Sequence, residues 1–301
     1  MGNNVNPNQI SLFQFVENGG VFERERESRK PRRIRHVYHT IISIGNLLTA
    51  WREFLNGKRN RKDVAKFSIH LLDHIFDLHH SLVNKTYRHG TYQAFRVDDP
   101  KPRDIHKASV RDRLLHHAIY RTLYPYFDRK FIFDSYSCRK SKGTHRAIDQ
   151  FRTFGRKVSH NNTRTAWVLK CDIRRFFASI DHPILLNILQ RHIQDVDTIG
   201  LLQKVIESFH TEEGGCVGLP LGNLTSQLLI NIYMNEFDQF IKRALKVHYY
   251  IRYADDFVVL YQRKAYLTNL LPKIAEFLEG DLHLSLHPDK VFIKPLSSGI
   301  D

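Results

Sequence analysis

The sequence predicts an α+β fold in which a small antiparallel sheet is backed by helices. One observation behind this prediction is that apolar residues recur at helical spacing over much of the chain. A second is that short alternating or β-branched runs lie near residues 92–106, 165–172 and 247–261. A third is the order of elements in the second half of the chain, which is strand, helix, helix, hairpin, helix and strands.

The chain has 301 residues, enough for one large domain or two moderate ones. Its formal net charge of +15 favours a polyanionic partner, most simply a nucleic acid. A membrane surface is the alternative, but no apolar span reaches about 18 residues and no secretory signal is present, so no membrane partner is expected. Three well-separated cysteines argue against a disulfide framework or zinc site and are typical of a reducing cytoplasm.

Residues 1–36 form a predicted N-terminal extension that is first rich in Asn and then basic. It is either a solvated arm or an arm that contacts phosphates without reading sequence. Apolar residues at helical spacing then predict helices over 37–56 and 62–84, with Gly57 between them.

A hairpin is predicted next, from alternating residues 92–97, a turn at 98–100 and a return over 101–106. Lys101 and Arg103 would lie near its tip, and a basic helix follows over 110–127. Residues 137–145, which include Arg139 and Lys142, are dense in cations. They form either a solvated loop or a phosphate-facing surface, and Thr144 is predicted to cap the helix that follows.

The second half of the chain begins with an apolar strand that ends at Asp172. Asp181 lies just before a helix with proline in its first turn, so we predict a helix cap there and not a metal ligand. A helix over 197–209 precedes a loop, residues 218–227, in which Gly222 allows close approach to the backbone. A long helix over 224–245, a hairpin over 247–261, a helix over 263–279 and strands over 282–286 and 291–294 complete the prediction.

Two adjacent carboxylates, Asp255 and Asp256, lie in the turn of the 247–261 hairpin. Because Asp suits turns, the pair alone is equally compatible with a plain turn and with a site that needs cations. Asp172 at the end of another strand favours the second interpretation, since strands that end in Asp172 and Asp255 could bring two carboxylates together at one sheet edge. Oxygen ligands select hard cations such as Mg²⁺, and two ions ~3.5–4 Å apart serve phosphoryl transfer.

Three motifs then occur in order: Lys-Cys-Asp-Ile-Arg-Arg-Phe-Phe (170–177), Gly-Leu-Pro-Leu-Gly-x-x-x-Ser-Gln (218–227) and Tyr-Ala-Asp-Asp (253–256). Together they resemble the palm of a reverse transcriptase, over roughly residues 90–301. The resemblance implies a right-hand polymerase fold with fingers at 37–164 and a palm at 165–301, the palm including fingers-like helices at about 182–215. The helical thumb of that family has no counterpart before residue 301, so we expect it to be truncated or supplied by a partner.

The resemblance also implies roles for single residues. Asp172 and Asp255 would bind two Mg²⁺ ions, or Mn²⁺, with Asp256 as the neighbouring acid and the Ile173 backbone as a further ligand. Phe177 matches an aromatic gate that excludes a ribose 2′-OH. The other matches are nucleotide-binding (Lys101, Arg103, Leu221, Lys290) or face template and primer (Gly222, Ser226, Gln227, Arg139, Lys142).

Leu221 and Gln227 stand where most reverse transcriptases have Gln and Pro. The form Leu-Gly-Asn-Leu-Thr-Ser-Gln resembles the enzymes of diversity-generating retroelements, in which the apolar residue is linked to poor discrimination at template adenines. That family implies a template RNA, a cDNA or primer strand, deoxynucleoside triphosphates and a small basic accessory protein, in the cytoplasm of a prokaryote or a phage host. The alternatives are a group II-like or phage-defence reverse transcriptase, and an inactive polymerase-shaped nucleic-acid-binding protein. Three intact acids argue against the last.

Overall fold

The computed structural model describes residues 33–98, 102–212 and 214–299. The predicted extension at 1–36 therefore falls almost wholly outside the described residues, as does Lys101. Within the described ranges the strands are β1 (Gln93–Val97), β2 (Arg103–Lys107), β3 (Trp167–Cys171), β4 (Tyr250–Tyr253), β5 (Asp256–Tyr261) and β6 (Phe292–Pro295). The helices are α1 (Tyr38–Ile42), α2 (Ile44–Phe54), α3 (Lys62–Ile69), α4 (Leu71–Val83), α5 (Val110–Asp128), α6 (Thr144–Val158), α7 (His182–His192), α8 (Val196–Ile206), α9 (Leu224–Gln239) and α10 (Lys264–Leu282).

Two helices predicted as continuous are each broken in two. The first breaks at Ser43, whose side chain accepts a hydrogen bond from the Asn46 N–H and so caps α2. The second breaks at His70, which leaves helical geometry at φ −115° and ψ 41°. The apolar spacing that predicted both helices runs across the breaks, because α1 with α2 and α3 with α4 bury faces against the same core.

A four-stranded antiparallel sheet with the order β4-β5-β3-β6 forms the centre of the second half, and β1 and β2 form a separate hairpin. The sheet is buried on both faces, since helices pack on each side of it. Alternate residues of each strand point to opposite faces. Val168 and Leu260 pack with α6 on one side. Leu169 and Val259 join the main core with α9 and α10 on the other.

Helix α9 lies at the centre of that main core. Twelve of its residues are buried, on all sides of the helix, as expected for a helix enclosed by other elements. It packs against α5, α7 and α10, and continues beyond Gln239 as a π-helical turn, Phe240–Ala244. The predicted helix over 224–245 is therefore present, with a change of winding near its end.

The chain after α10 differs from the prediction. Helix α10 runs to Leu282 and ends where His283 takes the left-handed conformation, φ 48°, so no strand forms over 282–286. Leu286 makes a single antiparallel bridge to Ile173, and of the two strands predicted after α10 only the second forms, as β6, which pairs with β3. No helix among the described residues is both long and apolar enough to cross a membrane.

Candidate active site

The three acids predicted from the sequence meet at one end of the central sheet. Strands β3 and β5 are antiparallel, with Cys171 opposite Phe257. Extending that register by one residue places Asp172 opposite Asp256. Asp255 occupies the β4–β5 turn immediately before Asp256, after Ala254 in the left-handed conformation at φ 55°.

The carboxylates of this cluster interact electrostatically. Burial, followed by the charges of Asp256 and Asp172, raises the pKa of Asp255 to about 6, against the opposing effects of its own backbone N–H and of Lys290. A carboxyl group in this position is stabilised as an anion by a nearby cation. Lys290 provides one, because its Nζ donates a hydrogen bond of 3.1 Å to Asp172 Oδ2.

The loop that carries Lys290 is tied to the end of β3. The His287 N–H donates to the Asp172 carbonyl at 2.8 Å, and the Arg174 N–H donates to the Ser285 carbonyl at 2.9 Å. These two bonds flank the bridge between Ile173 and Leu286, and neither of them uses the Ile173 carbonyl. The structure therefore brings Lys290, Asp172 and the Ile173 backbone together.

The donor set at this sheet edge fits a hard divalent cation, because it consists of carboxylate and backbone oxygens. Among the described residues, however, no three His, Cys, Asp or Glu side chains are grouped closely enough to form a complete cage for an ion. Two of the acids and a backbone oxygen leave coordination positions for substrate oxygens, as a catalytic site requires.

Phe177 lies next to the loop that contains Leu221. It belongs to a 3₁₀ turn, Phe176–Ser179, and its carbonyl accepts a hydrogen bond of 2.7 Å from the Leu219 N–H. The Gly218 N–H donates to the Ile180 carbonyl at 2.8 Å. The 3₁₀ turn that follows β3 is thus joined to the glycine-rich loop, residues 218–223, by backbone hydrogen bonds at Phe177 and Ile180.

The same loop is bonded to the β1–β2 hairpin. The His106 N–H donates to the Leu221 carbonyl at 3.1 Å, and Asn223 Nδ2 donates to the His106 carbonyl at 2.8 Å. Gly222 has φ 103°, and a Cβ added there would lie 2.9 Å from Cγ2 of Ile105. The close approach predicted at Gly222 is therefore that of the hairpin chain.

A cavity of about 320 Å³ lies beside this contact. Gly222 and Gln227 contribute to its wall, together with Phe95 and Ile105 of the hairpin. Four cations also line it, namely Lys58, Arg61, Lys107 and Arg113. Arg113 and Lys107 both contact the Asp63 carboxylate, at 2.6 and 2.7 Å.

Two residues predicted to face template or primer, Arg139 and Ser226, have buried side chains. The Arg139 side chain is only 6% exposed and binds the Asp128 carboxylate at 2.8 Å, with further bonds to the carbonyls of Ile132 and Ser135. Ser226 is 2% exposed, inside the first turns of α9. In each case the polar atoms of the side chain are enclosed by neighbouring elements.

Lys142 and Arg103 remain at the surface or near it. Lys142 is half-buried, and its Nζ donates to the Phe133 carbonyl at 2.7 Å. Arg103 is exposed at the start of β2. The predicted cap at Thr144 is wrong, because Gly143 occupies the cap position of α6 without a side-chain bond. Asp181 caps α7 as predicted, accepting from the Ile184 N–H at 2.9 Å.

Sequence reasoning missed the polar residues beneath the acidic turn. Arg252 and Asp238 form a fully buried ion pair there. The signal was present in the sequence, since Arg252 is the one arginine in an aromatic and β-branched run, residues 247–253, that leads to the acids. A buried arginine requires a partner, but its partner lies 14 residues away and only the fold identifies it.

Comparison with known proteins places the chain in a family. Residues 98–296 match the family described as reverse transcriptase (RNA-dependent DNA polymerase), and the chain belongs to that family. Its fold is similar to that of apo telomerase from Candida tropicalis truncated from the C-terminal domain, with a TM-score of 0.50 at 14% identity, covering 70% of this chain and 50% of that one. The predicted α+β polymerase fold is thereby confirmed.

Several curated proteins are similar in sequence. Protein YkfC of Escherichia coli is 30% identical over 70% of this chain and 66% of its own length. The putative COX1/OXI3 intron 1 protein of Saccharomyces cerevisiae is 27% identical over 50% of this chain and 18% of its own length. The group II intron-encoded protein LtrA of Lactococcus lactis is 27% identical over 48% of this chain and 24% of its own length. The chain thus spans under two thirds of YkfC and a quarter or less of the other two.

Proposed function

We propose that this chain is an RNA-directed DNA polymerase that copies a template RNA into cDNA. The observation that carries the proposal is the meeting of Asp172, Asp255 and Asp256 at one end of paired strands β3 and β5. Membership of the reverse transcriptase family supports it. Phosphoryl transfer needs positioning and charge neutralisation more than covalent chemistry from the protein, and this cluster is suited to that.

The acids would hold two Mg²⁺ ions, with Mn²⁺ as a substitute. When bound, two such ions neutralise the phosphates and stabilise the attacking and leaving oxygens. Asp172 and Asp255 would bind both ions, Asp256 would be the adjacent acid, and the Ile173 carbonyl would add an oxygen. Lys290, whose Nζ donates a hydrogen bond to Asp172, would lie near the triphosphate.

The surrounding residues would select and orient the nucleotide. Arg103, exposed at the start of the hairpin, would bind the triphosphate together with Lys101. Phe177, beside the glycine-rich loop, would exclude a ribose 2′-OH by steric contact. Leu221 would pack against the nascent pair, and Gln227 and Gly222 would face the template through the basic cavity.

Within the family, we propose the error-prone enzyme of a diversity-generating retroelement. The supporting feature is Leu221, which packs without the hydrogen bonds that Gln would make around the nascent pair. Such an enzyme would work with a template RNA, a primer, deoxynucleoside triphosphates and a small basic accessory protein. A group II intron-like reverse transcriptase is the second candidate, favoured by the similarity to intron-encoded proteins.

Primer extension on an RNA template with Mg²⁺ tests the polymerase activity. We expect incorporation of deoxynucleotides by the wild-type chain, supplied with any missing partner, and loss of incorporation in Asp255→Ala. Equal extension by the two proteins would contradict the proposal. The spectrum of errors separates the two candidates, since only the first predicts misincorporation concentrated opposite template adenine.

A further inference from the structure

The turn that presents Asp255 and Asp256 rests on a buried polar network. The Arg252 side chain, on β4, is 1% exposed, and the Asp238 side chain, on α9, is 0% exposed. Two parallel bonds join them, from Arg252 Nε to Asp238 Oδ1 at 2.8 Å and from Nη2 to Oδ2 at 2.7 Å. The Tyr250 hydroxyl donates a third bond to Asp238 Oδ1, at 2.8 Å.

The remaining nitrogen of Arg252 reaches the acidic turn itself. Its Nη1 donates to the Ala254 carbonyl at 3.1 Å and lies 3.4 Å from Asn231 Oδ1. Ala254 has φ 55°, a left-handed conformation that alanine avoids. A strained residue of this kind persists only where its surroundings hold it, and the Arg252 guanidinium is the group that binds its carbonyl.

The backbone of Arg252 is held as firmly as its side chain. Its N–H donates to the Asp134 carbonyl at 3.0 Å, and its carbonyl accepts from the Tyr136 N–H at 2.9 Å. Arg252 therefore connects three parts of the fold: its backbone is bonded to the 134–136 segment, and its guanidinium is bonded to α9 and to the β4–β5 turn. A lysine in its place would pair with Asp238 but would lack the planar fork that bonds a carboxylate and a carbonyl together.

Stability alone is a weak reason for this arrangement. A buried ion pair is often replaced by well-packed apolar residues without loss of stability. Only the polar pair, however, bonds the Ala254 carbonyl. The bond that an apolar pair cannot reproduce is therefore the one from Arg252 to the Ala254 carbonyl, which holds the acidic turn.

We propose that Arg252 and Asp238 are positioning residues that hold the Ala254 carbonyl and so set the placement of Asp255 and Asp256 relative to Asp172. This inference rests on the proposed function of the three acids as metal ligands. Supporting partners of metal ligands typically contribute about 10- to 100-fold in metal affinity or activity.

The test replaces the pair in the full chain by apolar residues, as Arg252→Met with Asp238→Leu, and separately makes Arg252→Lys. Mn²⁺ binding without substrate is measured by electron paramagnetic resonance, together with kcat and KM for primer extension. We expect Mn²⁺ affinity and kcat each to fall about tenfold or more in both variants, while KM for the nucleotide changes little. Adding Ala254→Gly to Arg252→Lys should restore part of the loss, because glycine accepts the left-handed turn unaided.

A matched control separates positioning from general stability. Tyr87→Phe removes another buried hydrogen bond, from the Tyr87 hydroxyl to Asp112 Oδ1 at 2.8 Å, and should lower the melting temperature while leaving Mn²⁺ affinity unchanged. A folded Arg252→Lys or double variant with wild-type Mn²⁺ affinity and kcat would overturn the inference. If the wild-type chain itself neither binds Mn²⁺ nor extends a primer, it is the proposed function that fails.

Discussion

The role proposed for Leu221 concerns the accuracy of copying and not the activity itself. It is half-buried, and its carbonyl is bonded to the His106 N–H of the hairpin, so its backbone is fixed independently of its side chain. An apolar side chain offers only packing to a nascent base pair. Under the proposed function, the loss of directed hydrogen bonds would narrow the free-energy gap between right and wrong nucleotides, in which each tenfold corresponds to ~1.4 kcal/mol.

Leu221→Gln should therefore raise fidelity, most strongly opposite template adenine. We expect the misincorporation frequency there to fall about tenfold for each ~1.4 kcal/mol of restored discrimination, measured by sequencing the cDNA from a defined RNA template. The matched control is Leu72→Gln, the same exchange at an exposed position of α4, which should leave the error spectrum unchanged. An unchanged error spectrum in Leu221→Gln would remove this residue from the account of fidelity.

At the scale of elements, the β1–β2 hairpin and the glycine-rich loop behave as one unit. Two hydrogen bonds join them, at Leu221 and Asn223, and Gly222 lets Ile105 approach the backbone. The hairpin carries Arg103, and the loop adjoins Phe177. A shift of one element would therefore move the groups proposed to bind the nucleotide on the other.

Gly222→Ala tests this coupling. The positive φ of Gly222 costs a non-glycine residue on the order of 1–3 kcal/mol, and the new Cβ would also displace Ile105, so we expect a higher KM for the nucleotide as well as lower stability. Gly143→Ala is the matched control, because Gly143 has φ 112° and nothing within 4 Å of an added Cβ. Equal effects of the two substitutions on KM would show that the hairpin contact does not matter.

At the scale of the whole molecule, burial of neutral histidines makes stability depend on pH. Burial, then the neighbouring His89, lowers the pKa of His116 to about 3. Burial, then Lys58, lowers the pKa of His117 to about 4. Below the unfolded value of about 6.5, the unfolded chain takes up protons that the folded chain does not, so folding becomes less favourable as the pH falls from about 6.5 to about 4.

Denaturant titration at a series of pH values measures this effect. The free energy of unfolding should decrease on acidification through that range, with each histidine contributing at most about 1.4 kcal/mol per pH unit. His117→Phe keeps a ring beside Phe54, which His117 meets edge-on with ring centres 5.4 Å apart. It should reduce the slope of unfolding free energy against pH by up to about 1.4 kcal/mol per pH unit, the contribution of one proton. An unreduced slope would mean that His117 is already protonated in the folded chain.

Much of the architecture was predictable because it depends on local pattern. Apolar periodicity located α5, α7, α8, α9 and α10, and the β-branched runs located β3, β4 and β5. The breaks at Ser43 and His70 were missed because the apolar faces continue across them. The strand predicted over 282–286 does not form, because α10 continues to Leu282 and only an isolated bridge remains at Leu286.

The sequence by itself determined the kinds of group that the site contains, since acids, cations and glycines are chosen by chemistry and turn geometry. Only the tertiary structure decided which of them meet. It enclosed Arg139 with Asp128, brought β2 onto Gly222 and paired Arg252 of β4 with Asp238 of α9. Each of these pairings joins residues from separate elements. Local pattern carries no information about such contacts, because they depend on how helices and strands pack in three dimensions.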